Sequence, residues 1–329
     1  MDYTKRLHYL KEHQQTMSEN GLTFDCRYAD EQRGCLDSFD YDVLAKIEGA
    51  RDIAKNAVVV SERKVVCSDR EIDILVYVNQ NTTNKQPCML YIHGGGYVSG
   101  DHWKMHQQCK ALCDKSGAVV VNVDYRLAPY HPFPNGLQDC LATLDWIYKE
   151  DSLPIDKTKI GIVGDSAGAG LGAACSLWHR DHSLFPIAYQ ALLYPSVLLK
   201  ENKEFPWDLQ YYNIKQDRIE ILESMMEIKA LIYSLEVVYL LNTNGWEDPY
   251  ASVYMAKTQA GLPKTLIITA EFDYLRKQDE WYAKALLEAG VDCRLIRYGG
   301  MKHAFFDHCG YFPQAEDVLN EIANDIKQL

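Results

Sequence analysis

The sequence predicts an α/β fold, with a mainly parallel central sheet flanked by helices. Three observations carry that expectation. Continuous apolar runs such as Val119-Val120-Val121 and Leu266-Ile267-Ile268 suit central strands covered on both faces. Strand-like and helix-like segments alternate along most of the chain. Glycine-rich turns stand at the ends of two strands, at Gly94-Gly95-Gly96 and at Gly164-Asp165-Ser166-Ala167-Gly168.

From Met1 to about Ile53 the pattern is helical, polar and loosely punctuated. Strands follow at Ala57 to Val60, Ile72 to Val78, Cys88 to His93, Ala118 to Asp124, Ile160 to Gly164, Ile187 to Tyr194, Thr265 to Ala270 and Cys293 to Tyr298. Helical stretches fall between and after them, at 102–116, 136–149, 167–180, 278–289 and 314–327. Residues 201–246 break the alternation. No strand signal occurs there, and Ile221, Met225, Ile228 and Ile232 recur at helical spacing, a stripe suited to packing on another layer. Phe205, Trp207, Tyr211 and Tyr212 open the segment with aromatic surface. An insertion after a strand's C-terminal end sits where open α/β sheets bind ligands. Residues 1–53 and 201–246 are therefore expected to form a helical cap on a single domain spanning 1–329.

Composition bounds the function. The chain has 329 residues, 47% of them hydrophobic, enough to bury a core without disulfide or metal staples. Its 34 basic and 46 acidic side chains leave a net charge of −12, which argues against nucleic acid and anionic membranes as partners. Met1 to Gln15 contains no apolar core of a secretory signal, and no charge-free apolar run reaches the ~18 residues of a membrane span. The ten cysteines have no short framework spacing, so buried free thiols and a cytoplasmic setting are expected.

Gly164 to Gly168 is a G-x-S-x-G pentapeptide between an expected strand and an expected helix. A sharp turn there would expose Ser166 at the sheet's C-terminal edge, above a helix N-terminus. The pentapeptide alone also fits a glycine-rich turn whose serine caps the helix. His93-Gly94-Gly95-Gly96-Tyr97 follows another strand, and glycines let backbone N–H groups approach a developing oxyanion. Gly95, Gly96 and Ala167 are the expected donors. In a Ser, then acid, then His order, Asp273 follows Thr265 to Ala270, and His303 follows Cys293 to Tyr298. Glu271 and Asp279 rival the first; Asp307 and His308 rival the second.

These segments, with Asp124-Tyr125-Arg126-Leu127-Ala128-Pro129, His131-Pro132-Phe133-Pro134, Asp273-Tyr274-Leu275-Arg276 and His303-Ala304-Phe305, resemble the bacterial esterases of the hormone-sensitive lipase group, within the α/β-hydrolase fold. The resemblance runs in order from about residue 57 to the C-terminus. It implies a serine carboxylesterase with Ser166, Asp273 and His303 as its triad, an oxyanion hole of Gly95, Gly96 and Ala167, and no metal or organic cofactor. It also implies a cap lining the substrate pocket, and an exposed edge strand through which two copies could form a homodimer. Tyr130 stands where the group usually has glutamate, Lys277-Gln278 replaces a common acidic pair, and Ala169 takes a position that is often glycine. Acidic, small-capped character points to short- or medium-chain acyl esters; acetylated sugars and other small esters also fit.

Three other readings compete with this one. His102, His106, Cys109 and Cys113 form one helical stripe, but a zincin glutamate is missing and the stripe would span about 16 Å of helix. Gly168-x-Gly170-x-x-Ala173 fits a relaxed dinucleotide fingerprint, but begins past the serine and lacks a following strand with a terminal acid. A non-catalytic small-molecule receptor on the same fold is the alternative from another class. Retention of serine, aspartate, histidine and the glycine run argues against it.

Overall fold

All five residues of Val119–Val123 are buried, as are all five of Tyr189–Leu193, which is what a strand covered on both faces requires. The structure, a computed structural model, describes residues 3–12, 14–28, 36, 49–80, 82–201 and 206–329. The described residues place ten strands in one sheet: β1 (Gln14–Glu19), β2 (Leu22–Arg27), β3 (Val58–Val66), β4 (Glu71–Asn79), β5 (Gln86–Ile92), β6 (Val119–Val123), β7 (Ile155–Asp165), β8 (Tyr189–Leu193), β9 (Lys264–Phe272) and β10 (Cys293–Lys302). Their order is β1-β2-β10-β9-β8-β7-β5-β6-β4-β3. Neighbours run parallel from β2 across to β6, and antiparallel pairs close both ends.

The α-helices among the described residues are α1 (Tyr3–Glu12), α2 (His106–Ser116), α3 (Asn135–Lys149), α4 (Ala167–Asp181), α5 (Arg218–Val238), α6 (Arg276–Glu288) and α7 (Pro313–Lys327). Alternation along the strands sorts two cores. Leu90, Ile92, Val121, Ile162, Leu192 and Ile267 meet Leu144, Leu177 and Leu286 of α3, α4 and α6 on one face. Met89, Tyr91, Val120, Val163, Leu193 and Ile268 meet Leu112 of α2 and Val318 and Ile322 of α7 on the other. Because β5, β7, β9 and β10 are parallel, their C-terminal ends share one sheet edge. The glycine run follows β5, Ser166 follows β7, Asp273 follows β9 and His303 follows β10.

The N-terminal segment departs from expectation. A helix forms over Tyr3–Glu12, but Gln14–Arg27 is a β-hairpin rather than part of a helical cap. Asn20 (φ 53°) and Gly21 (φ 77°) make the two-residue turn, both left-handed, and an Asn-Gly pair is the strongest short-range hairpin signal. Leu22, Phe24 and Cys26 then alternate into the core, and β2 lies parallel to β10 with Asp25 opposite Ile296. Strands β1 and β2 thus extend the sheet at its edge and do not roof it, with α1 lying against α7. Residues 29–35, 37–48 and Phe205, part of the expected cap, lie outside the described residues. In the insertion, α5 bears out the helical spacing: Ile221, Met225 and Ile232 are buried and Ile228 is half-buried. Nine of the ten cysteines are described; all nine are unbridged and seven are buried.

The hairpin is fixed by more than apolar contact. Arg27 of β2 donates from Nη1 to Asp317 Oδ2 (2.6 Å) and Glu321 Oε1 (3.0 Å) on α7, and Tyr298 Oη of β10 donates to the same Asp317 oxygen (2.8 Å). Arg27 and Asp317 are both buried, so removing one partner leaves a charge stranded. Arg27→Met is expected to lower unfolding stability by about 3 kcal/mol, read as a lower urea midpoint at unchanged slope. A midpoint equal to wild type would show that the pair carries no net stability.

Candidate active site

Ser166 lies between β7 and α4 with φ 53° and ψ −120°, a conformation that L-residues avoid. Its main-chain N–H donates to Leu193 O (2.8 Å), and its carbonyl accepts from Gly170 N (3.1 Å) and Ser196 N (3.2 Å). The flanking glycines are there for space. A Cβ on Gly168 would lie 2.1 Å from Ile92 O, and one on Gly164 would lie 2.7 Å from the Gly168 carbonyl carbon. The turn therefore closes only with hydrogen at both positions.

The glycine run lies beside this turn. Gly95 (φ 134°) and Gly96 (φ 61°) adopt backbone angles that favour glycine. The N–H groups of Gly95, Gly96 and Ala167 donate to no acceptor within the described residues. That of Gly94 is engaged by the buried Asp165 carboxylate, which also accepts from Tyr91 Oη (2.9 Å). Burial, then the charge of Asp307, push Asp165 up to about 6, against the opposing pull of Lys104, Tyr91 and Gly94. Three uncommitted donors thus sit near the serine, one of them at the positive end of α4.

Asp273 and His303 complete the cluster. Ser166 Oγ lies 2.8 Å from His303 Nε2, and His303 Nδ1 lies 2.7 Å from Asp273 Oδ2. The other carboxylate oxygen accepts from Leu275 N (2.9 Å). Burial depresses the His303 imidazolium, but the charge and hydrogen bond of Asp273, with Asp307 and Asp165 beyond, more than offset it. The net shift is above the ordinary histidine value. The rivals are engaged elsewhere: Glu271 accepts from Gly300 N, Asp279 from Thr269 Oγ1, Asp307 faces Lys104 (3.4 Å) and His308 stacks edge-on against Phe312. β10 runs on to Lys302 through a register shift between Tyr298 and Lys302, which delivers His303 to the edge.

Helix α5 borders the site in ways that the sequence did not indicate residue by residue. A Cβ on Gly96 would meet Leu231 Cδ2 at 2.8 Å, so Leu231 covers the glycine run. Ser224, Glu227 and Ile228 line a cavity of about 500 Å³ together with Lys104, Lys302, His303, Asp307 and His308. Helical spacing placed these residues on α5, but no local signal told which face meets the serine. The other stripes resolve as packing. His102 faces Asp124 (3.2 Å), His106 Nδ1 lies 3.0 Å from Tyr77 Oη, and Cys109 and Cys113 are buried. Gly168 and Gly170 back onto the Ile92 and Ser196 carbonyls. Tyr130 is exposed, and Gln278 Oε1 accepts from Val197 N and Leu198 N.

An α/β hydrolase is the class that this sheet order and this site define. Residues 89–307 match the family described as alpha/beta hydrolase fold. An arylesterase of Saccharolobus solfataricus is 30% identical over 266 residues, 80% of this chain and 83% of the relative. Esterase LipI of Mycobacterium tuberculosis is 30% identical over 71% of this chain and 70% of its own length. Among solved structures, an esterase of Pyrobaculum calidifontis superposes with a TM-score of 0.72 at 31% identity, covering 82% of this chain and 85% of that one. A thermostable carboxylesterase from a metagenomic library gives 0.73 at 28% identity, over 87% of this chain and 92% of that one. The chain belongs to the α/β-hydrolase family and, within it, to the hormone-sensitive lipase type of esterase.

The His303 environment gives a signed expectation. In Ser166→Ala protein followed by proton NMR, the His303 imidazolium should titrate above about 6.5, the ordinary value. Adding Asp273→Asn should lower it by at least about one unit, because burial then opposes the charge with less compensation. A midpoint unmoved by that change would mean that Asp273 does not set it.

Proposed function

We propose that this ester hydrolase is a serine carboxylesterase of short- to medium-chain acyl esters, working through an acyl-enzyme with Ser166, His303 and Asp273 as its triad. The observation that carries this is the continuous hydrogen-bonded line from Ser166 Oγ through both nitrogens of His303 to Asp273. The hydroxyl is a weak nucleophile until His303 Nε2 takes its proton, while Asp273 fixes the tautomer and stabilises the imidazolium. The Oγ–carbon bond forms, the carbonyl π pair moves to oxygen, and that oxyanion accepts from Gly95, Gly96 and Ala167. Collapse expels the alkoxide, which takes the proton from His303 and departs as the alcohol. Water, deprotonated by His303, then attacks the acyl-enzyme; the acid leaves and Ser166 regains its proton.

Two features bear on specificity. Leu231 over Gly96 limits the room beside the carbonyl and supports short acyl groups. The charged and polar lining of the cavity beside His303 suits a hydrophilic alcohol portion, which favours, as a second reading, deacetylation of polar alcohols such as acetylated sugars. In this reading residues 201–246, through α5, cap the pocket. A homodimer joined through the sheet would pair at β1 or β3, since β2 covers β10. The cytoplasmic setting rests on the cysteine spacing; no described helix is long and apolar enough to cross a membrane.

Ser166→Ala should cut turnover of nitrophenyl esters by at least about 10⁴-fold and abolish labelling by a fluorophosphonate. Full turnover in the purified variant would end the proposal, and an unlabelled, inactive wild-type protein would instead favour the receptor. Leu231→Ala should move the preferred acyl chain to longer esters, raising kcat/KM for them by about tenfold. An unchanged chain-length profile would place the acyl group elsewhere.

A further inference from the structure

The turn that carries Asp273 is held from outside the sheet. Two of its bonds are local: Leu275 N donates to Asp273 Oδ1 (2.9 Å), and Arg276 N donates to the Asp273 main-chain oxygen (3.1 Å). The third comes from the insertion. Tyr212 Oη donates to that same main-chain oxygen (2.9 Å) and accepts from Trp207 Nε1 (3.2 Å). Tyr212 is itself buried, with the Arg276 guanidinium 4.3 Å from its ring centroid, and Arg276 Nη2 donates to Tyr211 O. Trp207 also faces Tyr274, the residue after Asp273, at 5.6 Å between ring centroids.

Arg276 belongs to a largely buried ladder of ions that reaches the β1 edge of the sheet. It lies 3.6 Å from Glu280, which also accepts from Lys277 (2.6 Å) and from Arg297 of β10 (2.5 Å). Arg297 in turn pairs with Glu19 of the hairpin (3.0 Å) and lies over the Phe24 ring. Each of these carboxylates and cations is engaged on at least one side, so the end of the ladder nearest Asp273 is fixed in place.

We propose that Tyr212 of the insertion is a positioning residue for the catalytic carboxylate, fixing the Asp273 peptide through its hydroxyl while Arg276 holds Tyr211 and Tyr212 in place. The physical reason lies in the short lever between peptide and carboxylate. Asp273 Oδ1 is tied to its own turn, so rotation of that peptide carries Oδ2 away from His303 Nδ1. The cap segment is then part of the triad's frame and not only a wall of the pocket. This rests on the triad assignment made above.

The test is Tyr212→Phe in the full chain, which keeps the ring and its stack with Arg276 and removes only the hydroxyl. Active sites are counted by fluorophosphonate titration, and kcat is expressed per labelled site. The expected result is a kcat about tenfold lower with KM within about twofold, the loss of one hydrogen bond that orders a reacting group. The acid limb of kcat/KM should also move to lower pH, because His303, faced by Asp273, Asp307 and Asp165, loses part of its main partner. Arg276→Lys, which keeps the charge beside Glu280 but not the planar fork, should move both readouts in the same direction and serves if the first variant does not fold. A lower labelled fraction with per-site kcat and acid limb as in wild type would mean a purely structural role and overturns the proposal. So does a fall in kcat with an unmoved limb. Wild-type protein without serine-dependent labelling overturns the triad assignment itself, and this inference with it.

Discussion

Everything at the candidate site depends on one crowded turn. Ser166 sits at φ 53°, a conformation that costs a non-glycine residue on the order of 1–3 kcal/mol. The turn can tighten that far only because Gly164 and Gly168 have no side chains to strike the Gly168 and Ile92 carbonyls. Parallel pairing of β7 with β5 and β8 then fixes where the serine points. The glycine run after β5 and the first N–H of α4 lie beside it for the same geometric reason. Strain at Ser166 is offset by three main-chain hydrogen bonds and by the buried layers on both sides.

The central strands and the residues that gather in the candidate site were legible in the sequence because both are written in local chemistry. Apolar runs marked β6 and β9, and glycines marked the turns after β5 and β7. The hairpin was read as helix: Asn20-Gly21 and the alternation of Leu22, Phe24 and Cys26 signal it, but its polar first strand, Gln14–Glu19, resembles the helical segment before it. What could not be read was anything that depends on which distant residues meet. Leu231 against Gly96, Lys104 against Asp307 and Tyr212 on the Asp273 main chain join residues separated by long stretches of chain, and no spacing rule connects them. The rival acids illustrate the same limit. Asp279 and Asp273 are six residues apart and both are buried, and only the fold decides that one faces a threonine and the other a histidine.

The layers around the sheet are less oily than the composition suggests. Several of the largest fully buried side chains are tyrosines, and three of them donate to buried carboxylates: Tyr91 to Asp165, Tyr298 to Asp317 and Tyr189 to Asp325. Such pairs add little net stability over well-packed apolar groups, but they specify which helix meets which strand. Asp165 is the functional example. Its carboxylate holds Gly94, and so aligns the glycine run with the serine turn through a contact that neither glycine nor serine could make.

The partner of β10 is β2, and Asp25 and Ile296, opposite one another, are about 270 residues apart in the chain, a separation that makes their contact slow to form. In chain order β2 leaves the ribosome well before β10. The hairpin must therefore wait, with the backbone groups on one side of β2 unmatched, while the other strands of the sheet are made. Its polar outer strand, Gln-Gln-Thr-Met-Ser-Glu, shields one flank during that interval. The strand that delivers His303 is thus also the one that joins the hairpin to the sheet, so the nascent chain places this histidine and covers the open side of β2 in the same event.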